Sequence, residues 1–150
     1  MATPLTLMLP LRQDAEPEQL LQTIQASQAT LNRALDLMGV MHFARLLLLD
    51  RASPNLQPEP DSRGSHVLAM LAEYDGELAD CVQQLASEWG PQLDAMLDFV
   101  EGGAGLIPCV HHAAALADFI SRHDASRAQA DLTHFQAYYA TAREIAAALP

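Results

Sequence analysis

Two polar residues, His42 and Arg45, interrupt an apolar stretch that reads Met-His-Phe-Ala-Arg-Leu-Leu-Leu-Leu. A second apolar run ends just before Asp75, so antiparallel pairing of the two runs would bring Asp75 near His42. A histidine that a carboxylate orients can act as a general base, because the acid fixes the tautomer and supports the charged form. An arginine close by could hold an anionic substrate or a bound oxygen species. His42, Arg45 and Asp75 are therefore the predicted catalytic residues.

A structural interpretation of the same residues stays open. With Leu49 near Val67, the antiparallel register predicts Arg45 near Ala72 or Glu73. Arg45 would then form a cross-strand ion pair at the end of the sheet, and backbone groups would satisfy the histidine.

A second group of reactive side chains consists of Cys109, His111 and His112, with His123 further along the chain. Neighbouring residues on a helix point about 100° apart, so adjacent histidines cannot both bind one metal ion from a regular helix. We therefore predict no metal site, and the sequence requires no cofactor. Haem needs only one axial histidine, so His112 or His134 could bind it.

The composition excludes several function classes. The 150-residue chain has eight arginines, no lysine and 19 acidic residues, for a net charge of −11. This charge argues against binding to nucleic acid or to an anionic membrane surface, and the missing lysine excludes Schiff-base chemistry. Cys81 and Cys109 form no CxxC pair and are predicted to be buried free thiols. No secretory signal or membrane span is evident, so a cytoplasmic location is expected.

Hydrophobic periodicity predicts a single domain over residues 1–150 with the order β-α-β-β-α-(α)-β-α. Strands are predicted near residues 5–11, 40–49, 66–74 and 132–139, and helices near residues 14–39, 76–100, 112–123 and 141–149, with a break or kink at Gly90-Pro91. Residues 51–65 contain three prolines and are predicted to be a loop. The order is that of a ferredoxin-like split βαβ fold, an α+β class. It has a four-stranded antiparallel sheet with helices on one face, here with extra C-terminal helices.

The second and third predicted strands are apolar on both of their faces, since Ala44, Leu46 and Leu48 alternate with other apolar side chains. Helices on one side of the sheet leave the second face uncovered, and monomers seldom expose so large an apolar patch. We therefore predict a homodimer that joins its sheet faces; the third helix folding back over this face is the alternative.

The segment His42-Phe43-Ala44-Arg45, followed by an apolar run and then by Glu73-Tyr74-Asp75-Gly76, resembles poorly characterised bacterial domains that pair an HFAR strand with an FDG turn. These domains look like members of the dimeric α+β-barrel, ferredoxin-like superfamily. Tyr74 stands where phenylalanine is usual, and the loop after residue 50 is longer than usual. The superfamily includes haem peroxidases, chlorite-decomposing enzymes, cofactorless monooxygenases and stress-response proteins, so the resemblance implies architecture better than chemistry.

Two hypotheses on function follow. The first is a homodimeric small-molecule-binding or accessory module, and the second is a cofactorless or haem-dependent oxidoreductase that uses the catalytic residues above. In either case a pocket is predicted between sheet and helices or at the subunit junction, lined by His42, Arg45 and the ligand-binding candidates Phe43, Met70 and Tyr138.

Overall fold

The computed structural model describes residues 2–58, 65–128 and 139–150. Within these ranges the chain forms three strands and four α-helices, which agrees with the predicted α+β class. They are β1 (Thr3–Pro10), α1 (Pro17–Met38), β2 (Met41–Asp50), β3 (His66–Tyr74), α2 (Leu78–Leu97), α3 (Ala113–His123) and α4 (Ala142–Ala148). None of the helices in this part of the chain has a stretch long and apolar enough to cross a bilayer.

The three strands form one antiparallel sheet in the order β1-β3-β2. β1 and β2 therefore run parallel on either side of β3, and α1 is the crossover between them, as in a split β-α-β unit. The fourth strand predicted over residues 132–139 lies outside the described ranges except for Tyr139, which belongs to no strand. A four-stranded sheet is thus not shown.

The segment that follows α3 occupies the edge of β1. Asp124 Oδ1 accepts a hydrogen bond from the backbone N–H of Thr6 at 3.0 Å, and Ser126 Oγ donates to the carbonyl of Pro4 at 3.0 Å. Side chains thus satisfy edge groups of β1 that would otherwise need a neighbouring strand or water.

One face of the sheet, the helix face, packs against α1 and α2. Leu7, Leu68 and Met70 share a small apolar cavity of about 30 Å³ with Trp89 and Met96 of α2. Helix α1 adds the buried residues Leu20, Leu31, Ala34 and Met38 to the same core. The core of the protein therefore lies between this face and the two long helices.

Helix ends and irregularities follow from a few residues. Pro17 occupies the first turn of α1, and Gly39 ends the helix with φ +60°, where its N–H donates to the Leu35 carbonyl. The break predicted at Gly90-Pro91 is a kink inside a continuous α2, with Trp89 at φ −130°. Pro91 lacks an N–H, so one helical hydrogen bond is missing at this turn. Buried side chains on both sides of the kink keep the two halves in one helix.

The opposite face of the sheet is the outer face, made of four cross-strand rows: Pro4–Glu73–Phe43, Thr6–Leu71–Arg45, Met8–Ala69–Leu47 and Pro10–Val67–Leu49. Val67 and Ala69 on the central strand are buried, but Phe43 is 46% and Leu71 37% exposed. Helix α3 packs against α2 and β1 and leaves these two side chains exposed.

Candidate functional site

A β-bulge in β2 sets the position of His42. The pairing of β2 with β3 skips one residue between Met41 and Phe43, so His42 is an extra residue without a cross-strand partner. Bulges bend a strand locally and redirect a side chain. Here His42 Nε2 lies 3.1 Å from Asp75 Oδ1, and the two side chains are 13% and 16% exposed. The structure therefore brings together the histidine and the carboxylate that the strand pairing predicts to be neighbours.

Backbone groups fix the carboxylate of Asp75. Its Oδ2 accepts a hydrogen bond from the N–H of Ala142 at 2.8 Å, and its own N–H donates to the Val40 carbonyl at 2.8 Å. Ala142 is the first residue of α4, whose start is held by a capping box between Thr141 and Glu144. Burial raises the pKa of the Asp75 carboxyl, but the hydrogen bonds from Ala142 and His42 outweigh burial and hold this pKa below its ordinary 3.8.

In the His42–Asp75 pair, the carboxylate can hold the imidazole in an orientation that suits proton transfer. When Nε2 of His42 carries the proton that Asp75 accepts, Nδ1 is the basic nitrogen. The carboxylate of Asp75 is ionised at neutral pH because its pKa is low, so its oxygens act as hydrogen-bond acceptors. This geometry is compatible with a general acid–base pair and equally with a structural link between the sheet and α4.

The other predicted site residues do not form one cluster with the His42–Asp75 pair. Arg45 lies opposite Leu71, one residue before the predicted Ala72, because the register set by Leu49 and Val67 continues unbroken to Phe43. Phe43 and Arg45 belong to the outer face, whereas Met70 is buried at 6% exposure on the helix face. The other ligand-binding candidate, Tyr138, lies outside the described residues.

A groove of about 270 Å³ lies between α1 and β2, as predicted for a pocket between sheet and helices, but of the predicted lining residues it contains Arg45 and not His42, Phe43 or Met70. It is lined by Ile24, Gln25, Ser27, Gln28, Leu31, Asn32, Ala44, Arg45 and Leu46. Two of the predicted site residues therefore line cavities: Arg45 lines this groove, and Met70 lines the small cavity in the core. The signal in the sequence is the spacing of Gln25, Gln28 and Asn32, three and four residues apart, which puts three polar side chains on one side of a helix.

The far end of the β2–β3 hairpin carries a second polar pair that sequence reasoning missed. Asp50 is fully buried and accepts hydrogen bonds from Ala52 N at 2.9 Å and Ser65 Oγ at 2.7 Å, so it closes the two ends of the loop. His66 pairs with Asp50 in the register and is 3% exposed. Neither ring nitrogen of His66 has a hydrogen-bond partner.

The cysteine and histidine cluster is dispersed in the fold. Cys109 is buried, its Sγ donates to the Gly90 carbonyl at 3.6 Å, and burial raises the pKa of its thiol to about 12. Burial likewise raises the pKa of Cys81 to about 11, so both thiols stay protonated at neutral pH. His111 and His112 are exposed, and within the described ranges no three histidine, cysteine or acidic side chains are placed to hold a metal ion.

No protein-family profile, curated protein or solved structure matches this chain.

Proposed function

We propose that this chain is a small-molecule-binding module with a ferredoxin-like fold that works as a homodimer joined through its outer faces. The observation that carries the proposal is the exposure of Phe43 and Leu71 on a largely apolar sheet face. The split β-α-β order of β1, β3 and β2 supports the ferredoxin-like part, as does the resemblance to dimeric α+β-barrel domains.

The charge pattern favours a second copy of the chain as the occupant of the outer face. The whole chain has a net charge of −11, but the four rows of this face contain one acid, Glu73, and one base, Arg45. Two outer faces can therefore approach each other without local like-charge repulsion, which most other surfaces of so acidic a protein would cause. A two-fold axis uses the same patch on both copies, so a neutral patch is complementary to itself.

The area of the outer face indicates that the interface includes more than the sheet. Three strands about 4.8 Å apart and eight residues long at about 3.3 Å per residue give a footprint of at most roughly 380 Å². The buried Val67 and Ala69 make the exposed part smaller. A stable dimer buries about 800 Å² on each copy. Helix α4 can supply the remainder, because it begins beside Asp75 at the Phe43 end of this face and buries none of its own residues. A seven-residue helix is marginal alone, and Ile145 is 37% exposed.

A single substitution tests the dimer. Leu71 lies on the central strand of the outer face, so Leu71→Glu places two carboxylates in a two-fold interface. We expect the dimer to dissociate at least about 100-fold more readily, because like charges brought together at an interface cost several kcal/mol. Sedimentation should then give the mass of one 16.3 kDa chain instead of twice that mass.

Leu37→Glu is the matched control, since Leu37 is 62% exposed on α1, away from the outer face. The control variant should remain a dimer. A wild-type protein that sediments as a single chain at high concentration would contradict the homodimer.

The hydrogen-bonded His42–Asp75 pair favours a second candidate, an oxidoreductase that uses these residues for proton transfer and Arg45 to hold an anionic substrate. The haem-dependent version has a direct test in the absorption spectrum of the purified protein after addition of haem. If the chain binds haem, a shifted Soret band should appear, and it should be lost in His112→Gln or His134→Gln. An unchanged spectrum would exclude the haem-dependent oxidoreductase. The cofactorless oxidoreductase would then remain, with His42 and Asp75 transferring protons without a haem group.

A further inference from the structure

The groove between α1 and β2 has the composition of a small ligand site. Its lining includes the buried Leu31 and the half-buried Ile24, Ala44 and Leu46. Exposed amide side chains of α1, among them Gln28, stand on its polar side. Pockets for small molecules are concave and largely apolar, with a few polar groups that fix the orientation of the ligand. At about 270 Å³ this groove is just below the usual size range of such pockets, so it suits a small ligand.

Arg45 gives the groove its charge. It is the one charged residue among the described lining residues, its side chain is exposed, and no described residue forms an ion pair or hydrogen bond with it. β2 is the last strand of the described sheet, so the long side chain of Arg45 can lie along the strand edge toward the groove. An unpaired guanidinium presents a planar fork of donors that fits a carboxylate with two parallel hydrogen bonds.

A second groove differs in charge from the groove between α1 and β2, and the difference favours an anion at Arg45. The larger groove of about 410 Å³, between the end of α1 and α2, is lined by Asp80 and Glu88 and by no basic residue. On a chain with 19 acidic residues, a groove whose described lining has one cation and no acid suits a negatively charged ligand.

We propose that the groove between α1 and β2 binds a small amphipathic monocarboxylate. The carboxylate pairs with Arg45, and the aliphatic part of the ligand lies against Ile24, Leu31 and Leu46. A single arginine neutralises one negative charge, whereas the second charge of a phosphate monoester would stay unpaired on an acidic protein. The inference rests on the ligand-binding half of the proposed function and does not require the dimer.

Calorimetric titration of the full chain with sodium octanoate tests the site. We expect Arg45→Gln to weaken octanoate binding by at least about tenfold, because a hydrogen bond to a charged group is lost. The matched control is Arg122→Gln, an exposed arginine on α3, which should bind octanoate as the wild type does. Octan-1-ol has the same chain without the charge and should bind at least about tenfold more weakly than octanoate.

A second variant tests the place of binding. Ala44→Leu adds bulk to the groove lining without changing charge and should weaken octanoate binding by a similar factor. The site is overturned if octanoate does not bind, if Arg45→Gln or Ala44→Leu binds it normally, or if octyl phosphate binds more tightly. Sedimentation of the same samples separates the two proposals: Ala44→Leu, whose side chain lies on the helix face, should remain dimeric, and Leu71→Glu should bind octanoate as a monomer.

Discussion

Among single residues, His42 shows how a local irregularity determines a contact. A regular ladder would have placed this residue opposite Tyr74, and the extra residue of the bulge moves it to Asp75 instead. The side chain of Asp75 then serves two elements at once, since its second oxygen accepts a hydrogen bond from the first residue of α4. Loss of this carboxylate should therefore loosen both the histidine and the C-terminal helix.

The low pKa of Asp75 predicts a pH-dependent contribution to stability. Because the pKa is lower in the folded chain than the ordinary 3.8, the stabilisation is full above that value and is lost as the pH falls through the folded-state pKa. Asp75→Asn should lower the free energy of unfolding by about 1 kcal/mol at neutral pH and by less near about pH 3. Urea unfolding at both pH values measures this difference.

Asp118→Asn is the matched control, because Asp118 is an exposed acid on α3. It should change the free energy of unfolding little at either pH. Equal stabilities of Asp75→Asn and the wild type at neutral pH would show that the hydrogen bonds of Asp75 contribute nothing.

The sequence predicts part of the candidate site and misses the rest for a physical reason. An unbroken antiparallel register from Leu49 and Val67 places His42 opposite Tyr74, next to Asp75, and the contact itself depends on a bulge that periodicity does not reveal. The same register places Arg45 opposite Leu71, so the predicted position near Ala72 or Glu73 was one or two residues too far along β3. The groove at Arg45 depends on how closely α1 approaches β2, a tertiary distance that no local pattern contains.

At the scale of elements, those with strong local signals match their predictions. The third strand spans His66–Tyr74 as predicted, and α1 ends at the predicted Gly39. The Gly90-Pro91 step was the ambiguous signal, because proline removes one hydrogen bond while the packing of α2 favours continuity. Helix α2 stays continuous, because Leu85 before the kink and Met96 after it are both buried in one core.

The turn after α2 contains a glycine, Gly103, that lies against the backbone of the helix. A Cβ atom at Gly103 would overlap the carbonyl oxygen of Leu97, which is backbone and cannot rotate away. Gly103→Ala should therefore destabilise the fold by about 1–3 kcal/mol, the usual cost of overpacking, with the larger value if the end of α2 cannot shift. Thermal unfolding measures the change.

Gly105→Ala two residues further on is its control, because a Cβ atom there has no neighbour within 4 Å. The melting temperature of this variant should stay close to that of the wild type. If both variants melt together, the close approach at Gly103 does not constrain the fold.

At the scale of the whole molecule, the two faces of the sheet differ in how they are covered. The helix face is closed by α1 and α2, and its side chains form the core. On the outer face Val67 and Ala69 are buried, while Phe43 and Leu71 stay exposed. Apolar strands in the sequence predicted both faces, but the uneven burial does not follow from strand order, since Val67, Ala69 and Leu71 all belong to β3 in the middle of the sheet.

The position of the one tryptophan has a practical consequence. Trp89 is 1% exposed and lies in α2, on the side of the sheet opposite Leu71. Its fluorescence should consequently change when the interior melts and stay constant when two chains associate or separate on the other side. Emission and sedimentation thus report different equilibria, so the folding of one chain can be followed independently of its self-association.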